Sequence, residues 1–160
     1  MIKIVEYPAV IEIPCLPVDF IRPEAESGDL TGFSDVAGTC WEMVEFIRAR
    51  SGLGLAAPQI GDFRTYFVVN YGPKPLIVIN PSVKLLVDGV GNVTHQEGCY
   101  SSLGKMFQVK RAKKIHATWF DLLGKKQDAI LTGMLAIIFQ HEYDHLQQKC
   151  ICMHGKEIKK

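Results

Sequence analysis

No excess of charge marks this sequence. The net charge at pH 7 is +1, so the basic footprint of a nucleic-acid binder is missing and DNA is not expected as a partner. The short basic runs "KRAKKIH" and "GKEIKK" read as a solvated strand edge and a polar tail. No apolar run reaches the length of a bilayer-spanning helix, and "MIKIVEYPAV" meets a proline before a secretory core could form. The chain is therefore expected in the cytoplasm, away from membranes. Cysteine is scarce and odd in number: Cys15, Cys40, Cys99, Cys150 and Cys152 are irregularly spaced, which excludes a regular disulfide framework and suits reduced or metal-bound thiols. Repeats, linkers and low-complexity tracts are lacking too. What remains is a sequence of 160 residues, 48% hydrophobic and 22% charged, the composition of one globular domain with a core of its own.

Residues 1–33, rich in proline and including "RPEAESGD", read as an N-terminal arm over the domain surface. From about Ser34, apolar residues recur at Val36, Ala37, Cys40, Met43, Val44 and Ile47 before Gly52, the pattern of an amphipathic helix with a glycine stop. "RTYFVVN", "PLIVINP" and "VKLLVDG" read as three strands separated by turn residues. In "KKIHATWFDLLGKK", Ile115, Ala117 and Trp119 alternate with His116, Thr118 and Phe120 and lead to a turn at Gly124. A final helix spans about Thr132 to Gln148, and "GMLAIIF" makes its first turns apolar on every face. In the tail, residues 150–160, the alternate spacing of Cys150 and Cys152 fits a strand with both thiols on one face, and with His154 a second metal cluster is the less favoured alternative. Cys15 and Cys40 read as core residues. The expected fold class is α+β, antiparallel strands packed around a buried helix.

That helix carries the chemistry. In "FQHEYDHLQ", His141 and His145 stand four residues apart, so one helical face presents two imidazoles to one point, the geometry of a two-histidine metal site. Glu142 projects beside the pair, placed to act on a water as general base. Catalytic centres of this type use three protein ligands. The third could be a carboxylate, a histidine or a thiolate, and Cys99 in "QEGCYSS" is the best candidate because Gly98 before it permits close backbone approach. In "SGLGLAAPQIG", Gly52 and Gly54 would allow positive φ and bare backbone near a ligand, while the Gln59 amide could donate to an oxyanion.

Together "GLGLAAPQ" (52–59), "EGCYS" (97–101) and "HEYDH" (141–145) resemble, in order and spacing, the three motifs of the peptide deformylase family. The resemblance spans about Ser34 to Lys149. It implies that Cys99, His141 and His145 hold one divalent metal, iron(II) by nature, with zinc, nickel or cobalt as alternatives. It further implies that Glu142 is the acid/base, that Gln59 and the Tyr100 N–H stabilise the oxyanion, and that Leu53, Gly54, Gly98, Met134, Ile137 and Ile138 border the substrate pocket. Glu97 and Asp144 would orient the ligands, with Arg111 a buried partner for one of them. The implied reaction is removal of the formyl group from N-formylmethionyl peptides, releasing formate. Tyr100 stands where the family usually has leucine, and an arginine common several residues after the metal cysteine has no counterpart near Lys105 and Met106. The long C-terminal helix of many bacterial members does not follow "CICMH", so ribosome docking has little support. H-E-x-x-H also serves zinc endopeptidases, against which Cys99 and Gln59 count.

Overall fold

The structure is a computed structural model that describes residues 2–4, 31–86 and 91–159. The expected arm and the core placement of Cys15 fall almost wholly outside them, although Ile2 and Ile4 pack against the first core cluster. Helix α1 (Thr31–Arg48) turns Val36, Cys40, Met43, Val44 and Ile47 inward, all fully buried. Strands β1 (Gly54–Ala56), β2 (Tyr66–Val69), β3 (Leu76–Leu85), β6 (Lys114–Phe120) and β7 (Lys126–Thr132) form one antiparallel sheet in the order β1-β2-β3-β6-β7. Strands β4 (Asn92–Gly98), β5 (Met106–Ala112) and β8 (Lys156–Glu157) form a second, β4-β5-β8.

The large sheet is covered on both faces. Tyr66 and Val68 join the core built on α1, whereas Phe67 and Val69 join the core built on helix α2 (Gly133–Leu146). All four residues of β2 are fully buried, which explains why "YFVV" is continuously apolar and does not alternate. Phe139 of α2 sits edge-on to Phe67 at 4.9 Å and tilted against Trp119 at 5.5 Å. Truncating it to alanine would cost about 3–5 kcal/mol. β6 alternates as expected, with Ile115, Ala117 and Trp119 buried. The α+β class with strands around a buried helix is what the molecule has.

Two local expectations are overturned. "PLIVINP" and "VKLLVDG" belong to one strand, β3, whose pairing with β6 shifts between Ile79 and Ser82. Pro81 cannot donate to the ladder, and the bulge accommodates it with Asn80 at φ 49°, its N–H donating to Thr65 O at 2.8 Å. "CICMH" is not a strand but the helical turn α3 (Ile151–His154), closed by Met153 N–H to Cys150 O at 2.9 Å and Gly155 N–H to Ile151 O at 2.7 Å. Burying Ile151 and Cys150 against Phe107 and Val109 selects the turn.

Candidate active site

Helix α2 enters the molecule as an apolar rod and ends as a polar one. Gln140 is the first polar residue of its buried face: its Nε2 donates to Ala112 O at 2.8 Å and its Oε1 accepts from Ala112 N at 3.0 Å. This clamp, unforeseen from the sequence, ties α2 to the end of β5 just before the histidines. Beyond it, His141 and His145 share one face, with ring centroids 5.2 Å apart.

Cys99 follows the end of β4 in extended conformation, and its Sγ lies 3.3 Å from His145 Nε2. Among the described residues, the donor atoms of Cys99, His141 and His145 all lie within 4.8 Å of one another. One soft sulfur and two imidazoles in that space suit a divalent transition metal. The thiol chemistry supports the fit. A hydrogen-bonded neighbour, Cys150, and then burial hold the Cys99 pKa above its ordinary range, so a thiolate there needs a cation beside it. Burial, then the neighbouring His141, pushes the His145 pKa well down and keeps its imidazole neutral, the form that ligates.

His141 is aimed from behind. Its Nδ1–H donates to Glu97 Oε2 at 2.8 Å, leaving Nε2 for the cluster. Arg111 grips Glu97 with two 2.8 Å bonds, Nε to Oε1 and Nη2 to Oε2, and also donates from Nη1 to Asp144 Oδ2. The sequence suggested one carboxylate partner for Arg111; the fold supplies both. Although burial raises the Glu97 pKa, the bonds from Arg111 and His141 outweigh it and bring it down to about 2. His154 Nε2 approaches Asp144 Oδ2 at 3.2 Å, and among the described residues it forms no metal cluster with Cys150 and Cys152.

Glu142 stands apart from this network. It is buried, and its Oε2 has no hydrogen-bond partner among the described residues. Burial, offset only partly by His141 and Arg111, pushes its pKa up to about 7. Its carboxyl lies against Gly54, where an added Cβ would come within 2.8 Å of Glu142 Cδ. Gly52 likewise leaves room for the Tyr100 hydroxyl. The expected positive φ is therefore found at neither glycine; Ser51, at φ 53°, makes the left-handed turn, and the glycines serve close approach.

Gln59 closes the remaining side. Its Oε1 accepts from Ala56 N–H at 2.9 Å, which turns its amide NH₂ toward Cys99 Sγ at 3.3 Å and Ser101 Oγ at 3.2 Å. Tyr100 begins the short turn Tyr100–Ser102 and packs edge-on to Phe46 at 5.6 Å. A cavity of about 380 Å³ opens over these groups and is bordered by Leu53, Gly54, Gly98, Met134, Ile137 and Ile138, all six residues expected to line a substrate pocket. It also touches Arg50 and His95, which sequence reading missed because neither falls in a motif.

With this geometry in place, likeness to known proteins follows the same lines. The family model for polypeptide deformylase matches residues 2–160. The peptide deformylase of Thermodesulfovibrio yellowstonii is 32% identical over 148 residues, covering 86% of this chain and 84% of that protein. That of Dictyoglomus turgidum is 40% identical over 106 residues, 66% of this chain and 67% of its own length. The crystal structure of peptide deformylase from Thermotoga maritima superimposes with a TM-score of 0.75 at 28% identity, over 96% of this chain and 97% of that one. Motif order, fold and a converging cysteine–histidine–histidine cluster agree, and the chain belongs to the polypeptide deformylase family of metal-dependent hydrolases, which remove the formyl group from N-formylmethionyl polypeptides.

Proposed function

We propose that residues 1–160 act as one catalytic unit in the cytoplasm, hydrolysing the formyl amide of new polypeptides with Cys99, His141 and His145 as the ligands of one divalent cation. The observation that carries this reading is the convergence of those three donors beside a buried Glu142 whose Oε2 has no hydrogen-bond partner among the described residues. Iron(II) is the expected ion, and zinc, nickel and cobalt also suit a thiolate with two imidazoles. When bound, the cation supplies Lewis-acid polarisation of the formyl oxygen and eases deprotonation of water.

The chain's own groups do the rest. Glu142, with a pKa raised to about 7, accepts a proton from the attacking water near neutrality and returns it to the departing amine nitrogen. The carbon–nitrogen bond breaks, giving formate and a free N-terminus. Gln59 Nε2, oriented through Ala56, and the backbone N–H of Tyr100 donate to the oxygen that gains charge. Glu97 and Asp144, joined by Arg111, hold His141 in register. Met134, Ile137 and Ile138 offer an apolar wall to an unbranched thioether, with Leu53, Gly54 and Gly98 at the backbone edges. β1 and β4 are edge strands of their sheets and both reach the cavity, so an extended peptide can lie between them.

Formate release from a formyl-Met peptide by metal-loaded protein tests the proposal, and a chelator should abolish it. No release with metal bound overturns the reading. Cleavage of an unformylated internal peptide bond would replace it with an endopeptidase.

A further inference from the structure

The cavity has one charged group that the proposed chemistry does not use. Its two carboxylates are committed: Glu97 to Arg111 and His141, Glu142 to the inner end beside Gly54. Arg50 borders the outer end and is exposed. Its guanidinium carbon stands 3.8 Å from the Phe46 ring centroid, and Nη1 donates to Phe46 O at 3.3 Å. Among the described residues no carboxylate pairs with it. Phe46 in turn packs on Tyr100, whose hydroxyl lies against Gly52. The cation is therefore held at the rim by its own aromatic wall, at little further cost in side-chain freedom on binding.

The segment that carries Arg50 also sets a direction. Followed backward, Gln59 touches Cys99, Gly54 touches Glu142, Gly52 touches Tyr100, and Arg50 reaches solvent. A peptide with its formyl end at Glu142 leaves the cavity past the rim that Arg50 borders, so its residues beyond the methionine meet this cation.

We propose that Arg50 is a specificity-determining residue that favours substrates with acidic side chains downstream of the methionine. This rests on the deformylase reading. The test compares kcat/KM for formyl-Met-Ala-Asp-Asp-amide and formyl-Met-Ala-Lys-Lys-amide, in wild-type metal-loaded protein and in Arg50→Gln and Arg50→Glu. Wild-type protein at low ionic strength should prefer the acidic peptide by about fivefold, and the ratio should shrink in about 0.5 M salt as the charges are screened. Arg50→Gln should bring the ratio to about one and Arg50→Glu should invert it, since the same contact becomes repulsive. A wild-type ratio of one, or a ratio that both variants leave unchanged, overturns the role of Arg50 while leaving the deformylase reading intact. Formate from neither peptide overturns the deformylase reading itself.

Discussion

The arginine–carboxylate clusters around Arg64 and Arg111 do different things. In the turn before β2, Asp62 accepts from Arg64 Nη2 at 2.7 Å, from Arg64 N at 3.0 Å and from the Tyr66 hydroxyl at 2.7 Å. Behind the cavity, Glu97 accepts from Arg111 and from His141, and Arg111 also holds Asp144. Burial opposes ionisation in both places, and in both the donors outweigh it and lower the carboxyl pKa. The difference lies in what stands at the far end. Asp62 ends on a phenol whose pKa burial and Asp62 together push up, so it remains a fixed donor within the core. Glu97 ends on an imidazole whose second nitrogen faces the metal cluster. The same pairing anchors a turn in one case and aims an imidazole at the candidate metal cluster in the other. Exposure follows: the Arg64 and Asp62 side chains are 32% and 21% exposed, those of Arg111 and Glu97 only 4% and 5%.

Breaking the inner cluster should have the largest effect. Arg111→Met leaves Glu97 and Asp144 without their shared cation, and the loss should be about 3–5 kcal/mol in urea unfolding. Zinc affinity, measured by chelator competition, should fall by about 10–100-fold as His141 loses its support. Unchanged affinity would make the inner cluster a structural anchor like the outer one. Next comes Glu142→Gln, which removes the proposed acid/base and spares the proposed ligands: turnover should drop at least about a hundredfold with metal content intact. Metal lost along with activity would move Glu142 into the ligand set.

The smallest effect belongs to Asp62→Asn, which weakens bonds to Arg64 and Tyr66 at a partly exposed site and should cost about 1–3 kcal/mol at pH 7. Its pH dependence has a definite sign. A carboxylate whose folded-state pKa is lowered contributes stability that is present above the ordinary carboxylate value and is lost as pH falls through the folded one. The gap in melting temperature between Asp62→Asn and wild type should therefore narrow as pH drops below about 4. Turnover and zinc affinity should stay at wild-type levels, and a gap constant across the acid range would show that Asp62 acts through packing instead of charge.

These clusters also mark what could be read from one dimension. Asp62, Arg64 and Tyr66 are close in sequence, so their contact is local. Glu97, Arg111 and Asp144 come from β4, β5 and α2, and only the pairing of β4 with β5 and the docking of α2 through Gln140 bring them together. The i, i+4 spacing of His141 and His145 was legible because a helix repeats every 3.6 residues. The bend of β3 was not, since Asn80–Pro81 signals a turn as readily as a bulge. Gly52 and Gly54 advertised backbone freedom, yet what they provide is space for Tyr100 and Glu142, side chains 48 and 88 residues further along.

The sequence by itself determined the helix periods, the apolar stripe of α1, the alternation of β6 and the residues of the candidate metal cluster, because each depends on local geometry and on the chemistry of a residue type. The tertiary structure decided the rest. It set which carboxylate is pulled down to about 2 and which is pushed up to about 7, because a carboxyl's charge depends on the dielectric and the donors around it. It also made an unmarked residue, Arg50, the cation at the mouth of the cavity, because chain neighbours specify a conformation but only packing specifies what faces what.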